Sequence, residues 1–216
     1  VLVSFRGTKE LGDWLSNLNL IREHVAYGKV HGGFLGAFTA ARKTLQELLV
    51  EAAASDKSVW VTGHSLGGAL ATMMAGEMKG IQSLAGIYTF GQPRAVNNEA
   101  RRFLNEAYDS RMFRFVNDDD IVPKVPPLLK HVGELFWFDG KGELKKAPAG
   151  VRSDDFGPEG LDELEFETLQ KVIEPSARQI NRAHKDIIEC PLDELVGGEN
   201  TAVRGALPTR GIFPSI

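Results

Sequence analysis

Apolar and polar positions alternate between two kinds of pattern along the first two thirds of the chain. Short apolar runs, which are typical of buried strands, lie at residues 1–5, 59–62, 87–90 and 112–116. Between them, residues 38–49, 69–79 and 97–108 repeat apolar side chains at helical spacing. This alternation predicts an α/β fold with a mostly parallel central sheet and helices on both faces.

Other stretches give weaker patterns. Glycines at 28, 32, 33 and 36 predict a loop around His31, and residues 135–142 predict a hairpin arm. Residues 152–166 are acidic and interrupted by Gly and Pro, which favours an excursion on the surface. Residues 180–190 predict a late helix or a turn.

Length and composition limit the classes of protein that fit. A chain of 216 residues with 43% hydrophobic and 25% charged residues predicts one globular domain over residues 1–216. The formal net charge of −4 weighs against a nucleic-acid partner. No window approaches the roughly 20 apolar residues of a transmembrane helix. The chain opens without Met in an apolar run, which predicts that an upstream segment was removed or omitted.

Cysteine usage bears on the location. Cys190 is the only cysteine, so no disulfide forms within the chain. This predicts a cytoplasmic protein or a secreted one of bacterial type. No His, Cys and Asp cluster has zinc spacing and no phosphate-binding glycine loop is present, so the sequence predicts no cofactor and no metal ion.

The pattern Gly63-His64-Ser65-Leu66-Gly67 carries the clearest chemistry. It follows a predicted strand and precedes a predicted helix, the setting in which a serine hydroxyl projects from a strained turn as a nucleophile. The amide of Leu66 then points toward the oxyanion that forms during attack. The alternative is a glycine-rich turn with an incidental serine. His64 is expected to point into the protein as a packing residue.

Several motifs together resemble those of the class 3, or fungal-type, triacylglycerol lipase family. They are Phe5-Arg6-Gly7-Thr8, Asp13-Trp14-Leu15, His31-Gly32-Gly33-Phe34, the serine motif, Thr89-Phe90-Gly91-Gln92-Pro93-Arg94 and Asp120-Ile121-Val122-Pro123. The resemblance implies the α/β-hydrolase fold and hydrolysis of acylglycerols or related carboxylic esters. Feruloyl esterases and phospholipases A1 share these motifs, and a lipase-like scaffold without turnover is a further alternative. Family members have a segment before the first strand, and the resemblance therefore implies a fold that lacks this N-terminal segment.

Candidates for the acid and the base follow Ser65 in the chain. Among three consecutive carboxylates the resemblance selects Asp120, with Asp119 as the fallback and a solvated acidic turn as the alternative. For the base, the resemblance favours His184 over His131, and a surface histidine is the alternative at His184.

Two further assignments come from the resemblance. Thr8 directly follows Phe-Arg-Gly, where the family places an oxyanion donor. Trp14, Leu15 and Leu18 would lie in a lid whose apolar face meets a lipid interface, although a helix packed on the core explains them equally well.

Overall fold

The structure, a computed structural model, describes residues 1–7, 21–80, 84–117 and 120–146. In these ranges the strands are β1 (Leu2–Phe5), β2 (Arg22–Val25), β3 (Gly28–His31), β4 (Val59–His64), β5 (Leu84–Phe90), β6 (Met112–Asn117), β7 (Glu134–Phe138) and β8 (Leu144–Lys146). The helices are α1 (Gly32–Ala54), α2 (Leu66–Glu77) and α3 (Asn98–Ala107), with a 3₁₀ turn at Val122–Lys124.

Six strands form the central sheet in the order β1-β4-β5-β6-β7-β8. All neighbours in it run parallel except β7 and β8, which are antiparallel. The loops after β4, β5 and β6 therefore leave the sheet at the same edge, where α/β proteins build their sites. The predicted mostly parallel α/β sheet is confirmed.

The two faces of this sheet differ in what covers them. Val61 and Ile87 point to one face and are fully buried in a core shared with all three helices. On the opposite face the rings of Trp60 and Tyr88 lie 6.1 Å apart and those of Tyr88 and Phe113 lie 5.2 Å apart. An aromatic ladder thus crosses the strands on the side away from the described helices.

The predicted loop around His31 is wrong. Strands β2 and β3 form a separate antiparallel hairpin, and α1 begins directly after it at Gly32. Glycine inside a helix costs roughly 1 kcal/mol relative to alanine, and Gly36 is such a position in α1. Burial of Phe34 and Phe38 on the core side of α1 offsets that cost, because burying one such ring contributes about 1.5–3 kcal/mol.

The predicted hairpin arm is confirmed as β7 and β8. Its turn is closed by Asp139, whose carboxylate accepts hydrogen bonds from the Lys141 amide at 2.9 Å and the Glu143 amide at 3.0 Å. The predictions for residues 152–166 and 180–190 lie outside the described residues.

Candidate active site

Ser65 occupies the sharp turn between β4 and α2. Its backbone has φ 53° and ψ −125°, a combination that a residue with a side chain adopts only under strain. The Ser65 amide donates to the Phe90 carbonyl at 2.9 Å, which holds the turn against the end of β5. This is the strand-turn-helix geometry that the sequence motif predicts.

The glycines on both sides of Ser65 are required by close backbone contacts. A side-chain carbon on Gly63 would lie 2.2 Å from the Gly67 carbonyl oxygen, and one on Gly67 would lie 2.1 Å from the Phe5 carbonyl oxygen. Neither gap admits a methyl group. The turn therefore stays tight only with glycine at both positions, and it packs directly on the end of β1.

The Ser65 hydroxyl is buried at the start of α2. Its Oγ accepts or donates no hydrogen bond within the part of the chain that the structure describes. Leu66 is the first residue of α2, so its amide belongs to the group of N-terminal amides without a partner inside the helix. A buried hydroxyl beside free helix amides is the arrangement that an acyl-transfer nucleophile needs.

Asp120 lies just beyond the carboxyl end of β6. Its amide donates to the Asn117 carbonyl at 2.8 Å, and its Oδ1 accepts from the Val122 amide at 3.0 Å. Burial raises the pKa of this carboxyl, while the Val122 amide and the Lys124 ammonium act in the opposite direction. The contact with Val122 fixes one carboxylate oxygen and leaves Oδ2 to other groups.

Gly91 connects the surroundings of Ser65 and Asp120. It follows Phe90, which holds the Ser65 amide, and it has a positive φ of 52°. A side-chain carbon on Gly91 would lie 2.7 Å from Oδ2 of Asp120. Sequence reasoning included Gly91 in a family motif without assigning it a role; the structure places it as the spacer beneath the carboxylate.

His131, the second candidate for the base, is buried and engaged elsewhere. Its Nε2 donates to the Pro123 carbonyl at 2.7 Å. Burial, followed by the Arg114 and Arg94 guanidiniums nearby, lowers the pKa of this imidazole well below its usual value. A neutral ring fixed to backbone in this way fits a structural role.

The expectation for His64 is wrong. The sequence predicted a ring directed into the protein, but His64 is an exposed residue at the end of β4. In register it pairs with Phe90, which pairs with Phe115, so its side chain shares the aromatic face of the sheet. Alternation along a strand explains this: Gly63 faces the helices, and the next residue faces the other way.

The remaining predicted site residues lie outside the described ranges. These are Thr8, Trp14, Leu15, Leu18, Asp119 and His184. The chain can be followed toward Thr8 as far as Gly7, where a side-chain carbon would lie 2.8 Å from the His64 carbonyl oxygen. The segment after β1 therefore runs against the serine turn.

The described residues lack two features, a cluster of metal ligands and a helix that could span a membrane. Within those ranges no group of three His, Cys, Asp or Glu side chains lies close enough to hold a metal ion. Among the helices that the structure describes, none has the length and apolar content to cross a membrane.

Known proteins resemble this chain in sequence. A secreted mono- and diacylglycerol lipase 1 from Fusarium solani is 32% identical over 154 residues, covering 68% of this chain and 46% of that protein. The chloroplastic phospholipase A(1) DAD1 from Arabidopsis thaliana is 35% identical over 150 residues, covering 58% of this chain and 33% of that protein. The chain thus spans less than half the length of these two relatives.

A solved structure and a family model agree with these relatives. The lipase of Rhizomucor miehei in its propeptide complex superposes with a TM-score of 0.64 at 27% identity, covering 76% of this chain and 57% of that one. The model of the family described as lipase (class 3) matches residues 2–130, which include both Ser65 and Asp120. The chain belongs to the class 3 lipase family, whose members have the α/β-hydrolase fold.

Proposed function

We propose that this protein is a serine hydrolase of carboxylic esters, a lipase or carboxylesterase acting on acylglycerols or similar substrates. The observation that carries the proposal is the strained, buried Ser65 at the N-terminus of α2, with its hydroxyl free of partners among the described residues. Strain of this kind persists where the surrounding structure enforces it, and a nucleophile that must project from a turn provides a reason for it.

In the proposed reaction Ser65 Oγ attacks the ester carbonyl carbon. His184 takes the hydroxyl proton, and Asp120 orients that imidazole and stabilises its charge. The bond to the alkoxy oxygen then breaks, and His184 delivers the proton to the leaving alcohol. Water, activated by His184, next attacks the acyl-Ser65 ester and releases the carboxylic acid and the free enzyme.

The proposed oxyanion donors are the Leu66 amide and the amide and hydroxyl of Thr8. The position of Leu66 at the start of α2 supports the first donor. The contact between Gly7 and the His64 carbonyl supports the second, because it brings the chain alongside the serine turn one residue before Thr8. Removal of one such donor typically lowers kcat by about 10²–10³-fold.

Trp14, Leu15 and Leu18 are proposed to form the apolar side of a lid that contacts the lipid interface. They follow Thr8 in the chain, and the same segment returns to the described fold at Ile21 beside β2. A lid in this position would shield a site that lies at the carboxyl ends of β4, β5 and β6.

A phospholipase A1 is the second candidate, because the Arabidopsis thaliana relative at 35% identity carries that name. A secreted location is supported by the Fusarium solani relative, which is named as a secreted lipase. Release of fatty acid from dioctanoylglycerol and from dioctanoylphosphatidylcholine, compared at equal concentration, separates the two substrate classes.

The experiment that tests the reaction is hydrolysis of p-nitrophenyl esters from acetate to palmitate. Ser65→Ala and His184→Ala should lose at least about 10³-fold in kcat, and Asp120→Ala should lose about as much. His131→Gln should keep most of the activity, because its ring is fixed to the Pro123 carbonyl. The acyl-length profile then distinguishes an esterase from a lipase.

Labelling with a fluorophosphonate decides between an enzyme and a scaffold. Wild-type protein should be labelled at Ser65, and Ser65→Ala should not react. His24→Ala, a change at an exposed histidine on β2, serves as the matched control and should behave as wild type. A folded wild type that neither turns over esters nor reacts with the probe would point to a scaffold.

A further inference from the structure

The exposed imidazole of His64 lies close to the proposed catalytic acid. His64 ends β4 immediately before Ser65, and its side chain is on the aromatic face of the sheet, away from the helices. Nothing in the proposed reaction uses this ring. Its position at the carboxyl end of β4 nevertheless brings it to the same edge as Asp120.

Gly91 shows how near the two side chains are. A carbon added to Gly91 would lie 2.7 Å from Asp120 Oδ2 and 3.5 Å from His64 Nε2. Both atoms therefore border the same small space, and they are no more than about 6 Å apart by those two distances. Opposite charges within about 4–6 Å influence one another's ionisation.

We propose that His64 is a positioning residue that acts through Asp120, placing a cation beside its Oδ2 carboxylate oxygen in acidic solution. The inference rests on the proposed function of Asp120 as the acid of the triad. Oδ1 is already held by the Val122 amide, so Oδ2 is the oxygen that can serve the base and can respond to His64.

Few other charged groups lie near His64 and Asp120 among the described residues. Lys124, on the 3₁₀ turn, is a fixed cation that acts on Asp120. Arg6 follows β1 at the position next to His64, because Phe5 pairs with Gly63. Asp118 and Asp119 lie outside the described ranges. Of the described neighbours only His64 changes charge between pH 5 and pH 8.

A cation beside Asp120 changes the pH at which activity is lost in acid. The triad works only when His184 is neutral, and protonation of that base ends activity as the pH falls. A protonated His64 beside Asp120 puts a second cation near the base and disfavours its protonation. His64 thereby extends activity to lower pH, and burial of Asp120 strengthens the effect because charges interact more strongly out of water.

The pH dependence of kcat/KM with p-nitrophenyl butyrate tests this inference. His64→Gln should match wild type within about twofold at pH 8, where His64 is neutral. Its acidic apparent pKa should rise by roughly half a unit to one unit, so that activity at pH 5.5 falls about three- to tenfold. His64→Lys keeps a cation and should restore the acidic apparent pKa of the wild type. His24→Gln should leave that apparent pKa unchanged.

A second measurement does not depend on turnover. The ring proton signals of His64 are followed by NMR against pH in wild type and in Asp120→Asn. The pKa of His64 should fall by roughly half a unit or more when the carboxylate is removed. An active enzyme whose acidic pKa is the same or lower in His64→Gln overturns the inference and leaves the proposed function intact. An inert wild type sinks the proposed function, and the NMR titration still decides whether His64 and Asp120 interact.

Discussion

At the scale of single residues, Gly91 controls the distance between the end of β5 and the Asp120 carboxylate. Its φ of 52° and the 2.7 Å gap to Asp120 Oδ2 both exclude a side chain. Gly91→Ala should cost about 1–2 kcal/mol of stability from the backbone alone. Because a displacement of about 1 Å in a triad can cost 10²-fold, we expect kcat/KM for p-nitrophenyl butyrate to fall by about that factor.

Gly36→Ala is the matched control for this change. Gly36 lies within α1, and a side-chain carbon there meets no atom within 4 Å. Alanine at that position should raise the free energy of unfolding by about 0.5–1 kcal/mol and leave kcat/KM unchanged. If Gly91→Ala retains activity within twofold of this control, the carboxylate does not depend on the spacer.

Three residues of the site, Ser65, Asp120 and His64, differ in how far the sequence could predict them. The motif around Ser65 was sufficient to predict the turn there, because it follows a predicted strand and precedes a predicted helix. The position after the next strands left three consecutive carboxylates as candidates for the acid, and only the family resemblance selected Asp120 among them. The direction of His64 was not predictable from the motif alone. It depends on β4 continuing through Gly63 to His64, which the four-residue apolar run at 59–62 did not indicate.

At the scale of secondary-structure elements, α3 is tied to the β2–β3 hairpin by its N-cap. The Asn97 Oδ1 accepts hydrogen bonds from the Ala100 amide at 2.9 Å and from the Lys29 amide at 3.1 Å. Asn97→Ala should lower the free energy of unfolding by about 1–2 kcal/mol, since it removes the cap and a cross-link to β3. Urea unfolding checks this as a lower midpoint with an unchanged slope.

A neighbouring asparagine provides the control for the cap. Asn98 is exposed in the first turn of α3, and Asn98→Ala should change stability by no more than about 0.5 kcal/mol. Asn97→Asp keeps the accepting oxygen and should lose less than Asn97→Ala. Equal losses for Asn97→Ala and Asn98→Ala would mean that the cap does not join the hairpin to α3.

Helices with a strong apolar repeat were predicted correctly. The prediction failed for the hairpin, whose strands are held by contacts with other elements. The apolar repeats of α3 and of residues 38–49 in α1 were sufficient to identify those helices. The hairpin was missed because β2 is mostly exposed, so no apolar alternation indicates it. It is held instead by contacts far along the chain, such as the hydrogen bond from the His31 amide to the Ala95 carbonyl at 2.9 Å.

At the scale of the whole molecule, the parallel order of the sheet explains why the site assembles. Ser65, Gly91 and Asp120 each follow a different strand, and β4, β5 and β6 are neighbours in the sheet. These three residues lie at one edge of the sheet because parallel neighbours end at the same edge. The order of the strands in the central sheet could not be predicted from hydrophobic patterns, since any permutation buries similar residues.

Buried His131 makes the stability of the molecule depend on pH. Its folded-state pKa is well below the usual value of 6.5, chiefly through burial and then through Arg114 and Arg94. Below pH 6.5 the unfolded chain takes up a proton on this ring and the folded protein does not, so acid favours unfolding. Between pH 7.5 and 5.5 the loss from this one group should be about 1.4 kcal/mol.

The difference between wild type and His131→Gln isolates that contribution, because every other titrating group is common to both proteins. Asp120 acts in the opposite sense, since its raised pKa favours the folded state as the carboxyl protonates, and it cancels in the difference. The free energy of unfolding in urea should fall from pH 7.5 to 5.5 by about 1.4 kcal/mol less in His131→Gln than in wild type. His24→Gln, at an exposed ring, should follow the wild-type dependence.

Parallel losses in wild type and His131→Gln would mean that the ring of His131 is already protonated in the fold. The bond from Nε2 to the Pro123 carbonyl would then be that of an imidazolium, and a buried anion would have to face its other nitrogen.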